Sequence, residues 1–181
     1  MLVFYGKGKG KTTAAVGTAM RALGRGWRVL LVHFLKPAKS GEQLLFKELS
    51  KHSAFKHRLM WLALGTEEFV SVNDLGGSAA SINIALSYGF LKYLYQDIIK
   101  SFNPQLVVFD ELGIATHLGI VDETLASNVL ERFSGSLERH AIVTGRYVPK
   151  PIRDIADLIT KISEVKHYFK AGIASIEGLD Y

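Results

Sequence analysis

The chain has 181 residues, of which 48% are apolar and 22% charged, and it has no cysteine. This suits one globular domain spanning residues 1–181 with a sizeable core, and it excludes disulfides, thiolate zinc sites and thiol nucleophiles. The formal charge of +5 favours anionic ligands, but no Lys/Arg run is long enough to mark a nucleic-acid surface.

Met1 leads into an apolar run with no basic leader or cleavage site. No segment approaches the roughly 18 to 20 continuous apolar residues of a membrane span. The expectation is therefore a soluble, cytoplasmic protein with no nucleic-acid or membrane partner. Leu2–Tyr5 reads as a buried strand because a glycine-rich turn stops it at once. Lys11–Leu23 reads as a helix with a small-residue face (Ala15, Ala19, Ala22) closed by Gly24 and Gly26.

A second strand, Arg28–Leu35, ends at Lys36-Pro37, and Ser40 with Gln43 has capping-box spacing for a helix through about Leu49. Leu59–Leu64 is a third strand, and Gly65–Ser81 reads mainly as a loop. Ile84, Tyr88, Leu91, Tyr95 and Ile98 then share one face of a long helix that Pro104 ends. Gln105–Asp110 is a core strand finishing on two acids. Leu125, Val129 and Phe133 line another helix, and His140–Thr144 and Leu158–Val165 are the last strands. This alternation predicts an α/β fold, a three-layer P-loop domain of RecA type with a mostly parallel sheet flanked by helices. In such sheets ligands sit beyond the carboxyl ends of the strands, where the segments after Tyr5, at Asp110 and after Thr144 all lie.

The first of these reads Gly6-Lys7-Gly8-Lys9-Gly10-Lys11-Thr12-Thr13. Its glycines permit positive φ and let amides turn onto an anion, and the helix that follows presents free N–H groups and its positive dipole end. Lys11 adds a full charge, and Thr12 is placed to ligate a magnesium ion accompanying a triphosphate. The spacing Gly6-x-x-x-Gly10-Lys11-Thr12 is one residue shorter than the usual G-x-x-x-x-G-K-[ST], with Tyr5 at the position of the first glycine. Lys7 and Lys9 are phosphate contacts or solvated charges.

Leu106-Val107-Val108-Phe109-Asp110-Glu111 has the form of a strand delivering carboxylates to a metal or an ordered water, with the direct ligand left open between Asp110 and Glu111. Arg146 in Thr144-Gly145-Arg146 is either a bidentate phosphate contact or a solvated turn residue. His33, His57 and His117 lack metal-ligand spacing and read as structural or exposed, and Trp61 reads as core.

Taken together, the shortened loop, Ser40-Gly41-Glu42, Val108-Phe109-Asp110-Glu111, Val143-Thr144-Gly145-Arg146, Asp154-Ile155-Ala156-Asp157, Val165-Lys166-His167, Gly172 and Gly178-Leu179-Asp180-Tyr181 resemble the P-loop type of ATP:corrinoid adenosyltransferase over nearly the whole chain. The resemblance implies attack of a Co(I) corrinoid on the 5′ carbon of ATP, with triphosphate leaving intact and the nucleotide reversed in the loop. It implies that Gly6 to Thr13 hold the triphosphate, that Lys11 and Glu111 are catalytic, and that Thr12 and Glu111 bind Mg²⁺, with Asp110 beside them. Arg146 becomes a further phosphate contact. A homodimer is also implied. Members commonly carry an extension before the first strand, which here begins at Leu2. They also carry a Phe-Thr-Trp corrinoid segment, matched here by Phe69-Val70-Ser71, so that Phe69 is the corrinoid contact.

Two other readings share the loop. A nucleoside kinase of thymidine-kinase type usually carries a cysteine-bound zinc, which a chain without cysteine cannot build. An ATP-gated RecA-type module acting on nucleic acid is disfavoured by small size and modest charge.

Overall fold

The computed structural model describes residues 1–68, 70 and 76–180. Phe69 and Ser71, two of the three residues matched to the corrinoid segment, lie outside the described residues.

Six strands form one sheet: β1 (Leu2–Tyr5), β2 (Val29–Phe34), β3 (Leu59–Leu64), β4 (Leu106–Asp110), β5 (His140–Gly145) and β6 (Leu158–Lys161). Their spatial order is β3-β2-β4-β5-β1-β6, and every neighbouring pair is parallel. Parallel neighbours require crossovers, supplied here by helices α1 (Lys11–Gly24), α2 (Gly41–Leu49), α3 (Ser78–Tyr93), α4 (Ile99–Ser101), α5 (Leu112–His117), α6 (Glu123–Ser134) and α7 (Lys150–Asp154). No helix among the described residues is long and apolar enough to cross a membrane.

The three layers follow from alternation along buried strands. Leu30, Val32, Phe34, Val107 and Phe109 point to one face, where they pack with Phe90, Leu112, Leu130 and Phe133. Val29, Leu31, Leu106, Val108 and Ile142 point to the other, against Ala15, Ala19, Leu23 and Phe46. The small face of α1 lets it lie close to the sheet, which fixes where its N-terminus emerges. Each large side chain so buried contributes about 1.5–3 kcal/mol against leaving it in water.

The expected strands are all present, but three are shorter: β2 loses a residue at each end, β4 loses Gln105, and β6 loses its last four residues, while β5 runs on to Gly145. Residue 35 ends β2 because Leu35 takes the left-handed conformation at φ 59°, which cannot continue a ladder. The last strand stops at Lys161 rather than Val165. Beyond it, Ile162 N–H donates to Tyr5 O at 2.7 Å and Ile162 O accepts Gly8 N–H at 3.0 Å, so the chain turns to back the glycine loop. In α2, Gln43 accepts the Ser40 amide at 3.0 Å, as the capping-box spacing predicts. The long helix begins at Ser78 and passes through a π turn at Leu94–Ile98 before α4. Tyr95, within that turn, donates its hydroxyl to Val129 O at 2.6 Å and so pins the helix to α6.

Candidate functional site

The strand-to-helix junction after β1 is built on two glycines with positive φ, Gly6 at 121° and Gly10 at 107°. A side chain at Gly6 would also put its Cβ 2.4 Å from Ile162 O. The Gly6 and Gly8 amides do not face an anion; they donate to Gly145 O (3.3 Å) and Ile162 O (3.0 Å). Among the amides open to one are those of the first turn of α1. Its first intrahelical bond runs from Ala14 N–H to Gly10 O at 2.8 Å, so the N–H groups of Lys11, Thr12 and Thr13 precede the ladder. That turn contains no acid, and an anionic ligand would complement its dipole. Lys11 Nζ meanwhile donates to Gly8 O at 2.8 Å. Burial lowers its pKa below the ordinary lysine value, with Glu111 opposing the shift and Arg146 and Lys36 adding to it.

Behind this turn Asp110 is fully buried, and all four of its hydrogen-bonding contacts come from distant segments. Oδ1 accepts from Thr12 Oγ1 (2.9 Å) and Thr144 Oγ1 (2.6 Å). Oδ2 meets Lys36 Nζ at 2.8 Å and His33 Nδ1 at 3.1 Å. Burial alone would raise the Asp110 pKa, but Lys36 and His33 outweigh it and hold the carboxyl well below the usual range. The geometry makes Asp110 the holder of Thr12: it accepts the hydroxyl hydrogen and leaves the oxygen lone pairs to other partners, of which Lys36 Nζ is one at 3.2 Å.

Glu111 differs. Its backbone is left-handed at φ 60°, and its amide donates to Thr144 Oγ1 at 2.9 Å, so β4 ends abruptly and α5 starts. The side chain is 20% exposed and faces a cavity of about 470 Å³ lined by Lys11, Thr12, Thr13, Lys36, Glu42 and the tail residues Gly178 to Asp180. Burial raises the Glu111 pKa; Lys36 and Lys11 pull it back, and Asp110 adds to the rise.

The structure thus joins Lys11, Thr12, Thr13, Asp110 and Glu111 and sets Arg146 and Lys7 apart. Those two line a larger hollow of about 1090 Å³ on the Gly6 side of the loop, together with Tyr147, Lys150 and Arg153. Tyr147 stacks on His117 there at 4.5 Å between ring centroids. Lys9 lines the smaller cavity, but its ammonium is engaged there with the tail, pairing with Asp180 at 3.0 Å and donating to Leu179 O.

Sequence reasoning missed Lys36 and assigned His33 no function. The signal lay in strand pairing: the β2–β4 register places His33 directly opposite Asp110. It can be found only once those strands are known to be neighbours.

The model of the ATP:corrinoid adenosyltransferase family BtuR/CobO/CobP matches residues 1–181. The chain belongs to that family. Among adenosyltransferases, it is 30% identical over 187 residues to the corrinoid adenosyltransferase of Pseudomonas aeruginosa PAO1, spanning 100% of this chain and 83% of the relative. It is 31% identical over 183 residues to corrinoid adenosyltransferase CobA of Salmonella typhimurium LT2, spanning 100% and 85%. The corresponding Escherichia coli K12 protein is 28% identical, with the same coverage of 100% and 85%. The family is one of alkyl-group transferases, and the P-loop fold inferred for this adenosyltransferase from element order agrees with the all-parallel, helix-flanked sheet.

Proposed function

We propose that the chain transfers the 5′-deoxyadenosyl group of ATP to the cobalt of a reduced Co(I) corrinoid and releases inorganic triphosphate. The two electrons of Co(I) form the new cobalt–carbon bond, while the C5′–O bond breaks and its pair leaves with the triphosphate. The nucleophile is supplied by the substrate, so the protein needs no general base. Its task is to neutralise the leaving group and align it with the carbon.

The observation that carries this reading is the convergence of the α1 first-turn amides, Lys11 and Glu111 on one cavity, in a chain that matches the family from end to end. The amides and Lys11 are poised to take up negative charge that grows as C5′–O breaks. Thr12 and Glu111 offer the hard oxygen donors that Mg²⁺ selects, with Asp110 orienting Thr12 from behind. A magnesium ion held there would further stabilise the departing triphosphate. Arg146 and Lys7, beside the same loop but facing the larger hollow, extend positive charge along the bound substrates.

Incubation with Mg-ATP and chemically reduced cobalamin tests the reaction directly. Triphosphate appearing together with a cobalt–carbon absorption spectrum is the expected result. ADP with a phosphorylated nucleoside, or ADP with free phosphate, would place the chain with the kinases or with the ATP-gated modules instead.

A further inference from the structure

Lys36 is the residue of the cavity that no sequence pattern singled out, and its position is unusual. Its Nζ lies 2.8 Å from Asp110 Oδ2, 3.2 Å from Thr12 Oγ1 and 3.9 Å from Glu111 Oε1. Two of those oxygens belong to the groups assigned above to the magnesium ion, and the third orients one of them. The backbone directs the side chain there. Leu35 turns the chain left-handed at the end of β2, and Gly65 at the end of β3 leaves room for the turn, since a Cβ on Gly65 would sit 2.1 Å from Lys36 N. The other two lysines of the cavity are engaged elsewhere, Lys11 with Gly8 O and Lys9 with Asp180.

We propose that the Lys36 ammonium is a built-in stand-in for the divalent cation, occupying its seat in the nucleotide-free protein and vacating it when a metal–triphosphate complex binds. The inference rests on the assignment of Thr12 and Glu111 as metal ligands. An ion about 2.0–2.1 Å from the Thr12 oxygen and an ammonium 3.2 Å from the same oxygen would be two cations drawing on one set of donors, and they repel. Free metal is therefore rejected. Metal carried on a triphosphate is accepted, because the phosphate oxygens give the displaced ammonium a new anionic partner. Between turnovers the stand-in keeps Asp110 and Glu111, adjacent carboxylates, from facing each other without a counter-charge. It also holds Thr12 in the orientation that the incoming ion needs, which makes Lys36 a positioning residue.

The test is a Mn²⁺ titration followed by electron paramagnetic resonance, on nucleotide-free protein and again with ATP present. Nucleotide-free wild type should bind Mn²⁺ weakly. Lys36→Met should bind it at least about tenfold more tightly, the direction expected when a neighbouring unit charge is removed. Lys36→Arg should behave like wild type, and adding Glu111→Gln to Lys36→Met should abolish the gain. Lys36→Gln serves in place of Lys36→Met if circular dichroism shows the latter unfolded. A purely structural lysine would give no gain in metal affinity on removal, so an unchanged or weaker Mn²⁺ affinity in the neutral variants overturns the proposal. If wild type binds Mn²⁺ with ATP while the neutral variants gain nothing without it, the stand-in role alone fails. If wild type takes up no Mn²⁺ even with ATP, the metal-ligand assignment fails with it.

Discussion

Thr12 and Asp110 stand 98 residues apart in the chain, yet the Thr12 hydroxyl donates to Asp110 Oδ1 at 2.9 Å. This bond ties the first turn of α1 to the end of β4, and with it the anion-facing amides to the carboxylates. Thr144, at the end of β5 between the two strands, donates to the same oxygen at 2.6 Å. Three strand ends are thereby locked at the depth where a phosphate chain would lie.

Asp110→Asn should therefore destabilise the protein, by about 3 kcal/mol at neutral pH, the scale for removing one partner of a buried ion pair. The Asp110 carboxyl is held below its ordinary value in the folded state. Its contribution is fully present above the unfolded carboxylate pKa of about 3.9 and is lost as pH falls through the folded value. Urea unfolding of wild type and variant should show a gap that is constant from pH 7 to about 5 and narrows as the pH falls below 4. A gap independent of pH down to the acid limit would contradict this role for Asp110.

Glu111 has the opposite sign. Burial raises its pKa, so its contribution is favourable below the unfolded value and is lost as pH rises through the folded one. Once ionised, the side chain costs stability, and Glu111→Gln should raise the melting temperature of the nucleotide-free protein while lowering adenosylation about 10²-fold or more, the scale of losing one preorganised charge-stabilising group. A variant that melts lower than wild type at pH 7 would argue that Glu111 is structural.

Lys11→Ala should also slow turnover by roughly 10²-fold or more. Since Lys11 Nζ also bridges to Gly8 O at 2.8 Å, loosening of the loop is a competing explanation. Lys11→Arg separates the two, because it keeps the charge and the reach but not the compact geometry. Steady-state rates for both variants, with triphosphate release as the readout, decide the matter, and near-normal adenosylation by Lys11→Ala would remove the residue from the mechanism.

The elements and the loop were legible because each is a local pattern. The apolar strand Leu2–Tyr5, the glycines 6, 8 and 10 and the small face of α1 all follow one another within 24 residues. Asp110 was legible as a strand-end acid but not as a fully buried one, because its four partners come from three other segments. Lys36 looked like the residue before a proline, a turn signal. Only the β2–β4 register and the left-handed Leu35 turn it into a member of the site. Helix α5 was missed because its N-cap is Glu111, a non-glycine residue with positive φ, which no propensity argument anticipates.

The glycines at the ends of β5 and α5 set how closely Arg146 and Tyr147 approach the loop. A Cβ on Gly145 would lie 2.7 Å from Tyr147 O and 2.9 Å from Gly113 Cα, all backbone contacts. Gly145→Ala should cost about 1–3 kcal/mol, the scale of forced overpacking, and should lower substrate affinity as the turn shifts. Gly17→Ala, where a Cβ meets nothing within 4 Å, is the matched control in mid-helix and should be neutral or mildly stabilising. Thermal melts of the pair check this, and equal melting temperatures would show that the close approach is easily relieved.

The tail makes one more claim on the loop. Asp180 accepts the Ile176 amide at 2.7 Å and the Tyr168 hydroxyl, and it pairs with Lys9 at 3.0 Å. Those contacts, the Ile176 amide foremost, hold its carboxyl well below the usual range. Its contribution to docking is therefore fully present above the unfolded carboxylate pKa of about 3.9 and is lost as pH falls through the folded value. At neutral pH, Asp180→Asn should weaken the ion pair and undock the segment without touching the core. Trypsin cleavage after Lys166 and Lys170 should then accelerate roughly tenfold, while the melting temperature stays within a degree or two of wild type, because exposed pairs contribute little to global stability. Tyr168→Phe should move the cleavage rate in the same direction and by less. Lys9, freed of its carboxylate, becomes available to a phosphate, so Asp180→Asn should bind nucleotide at least as tightly as wild type. Weaker binding would mean that the docked tail is a wall of the site and not a competitor for Lys9.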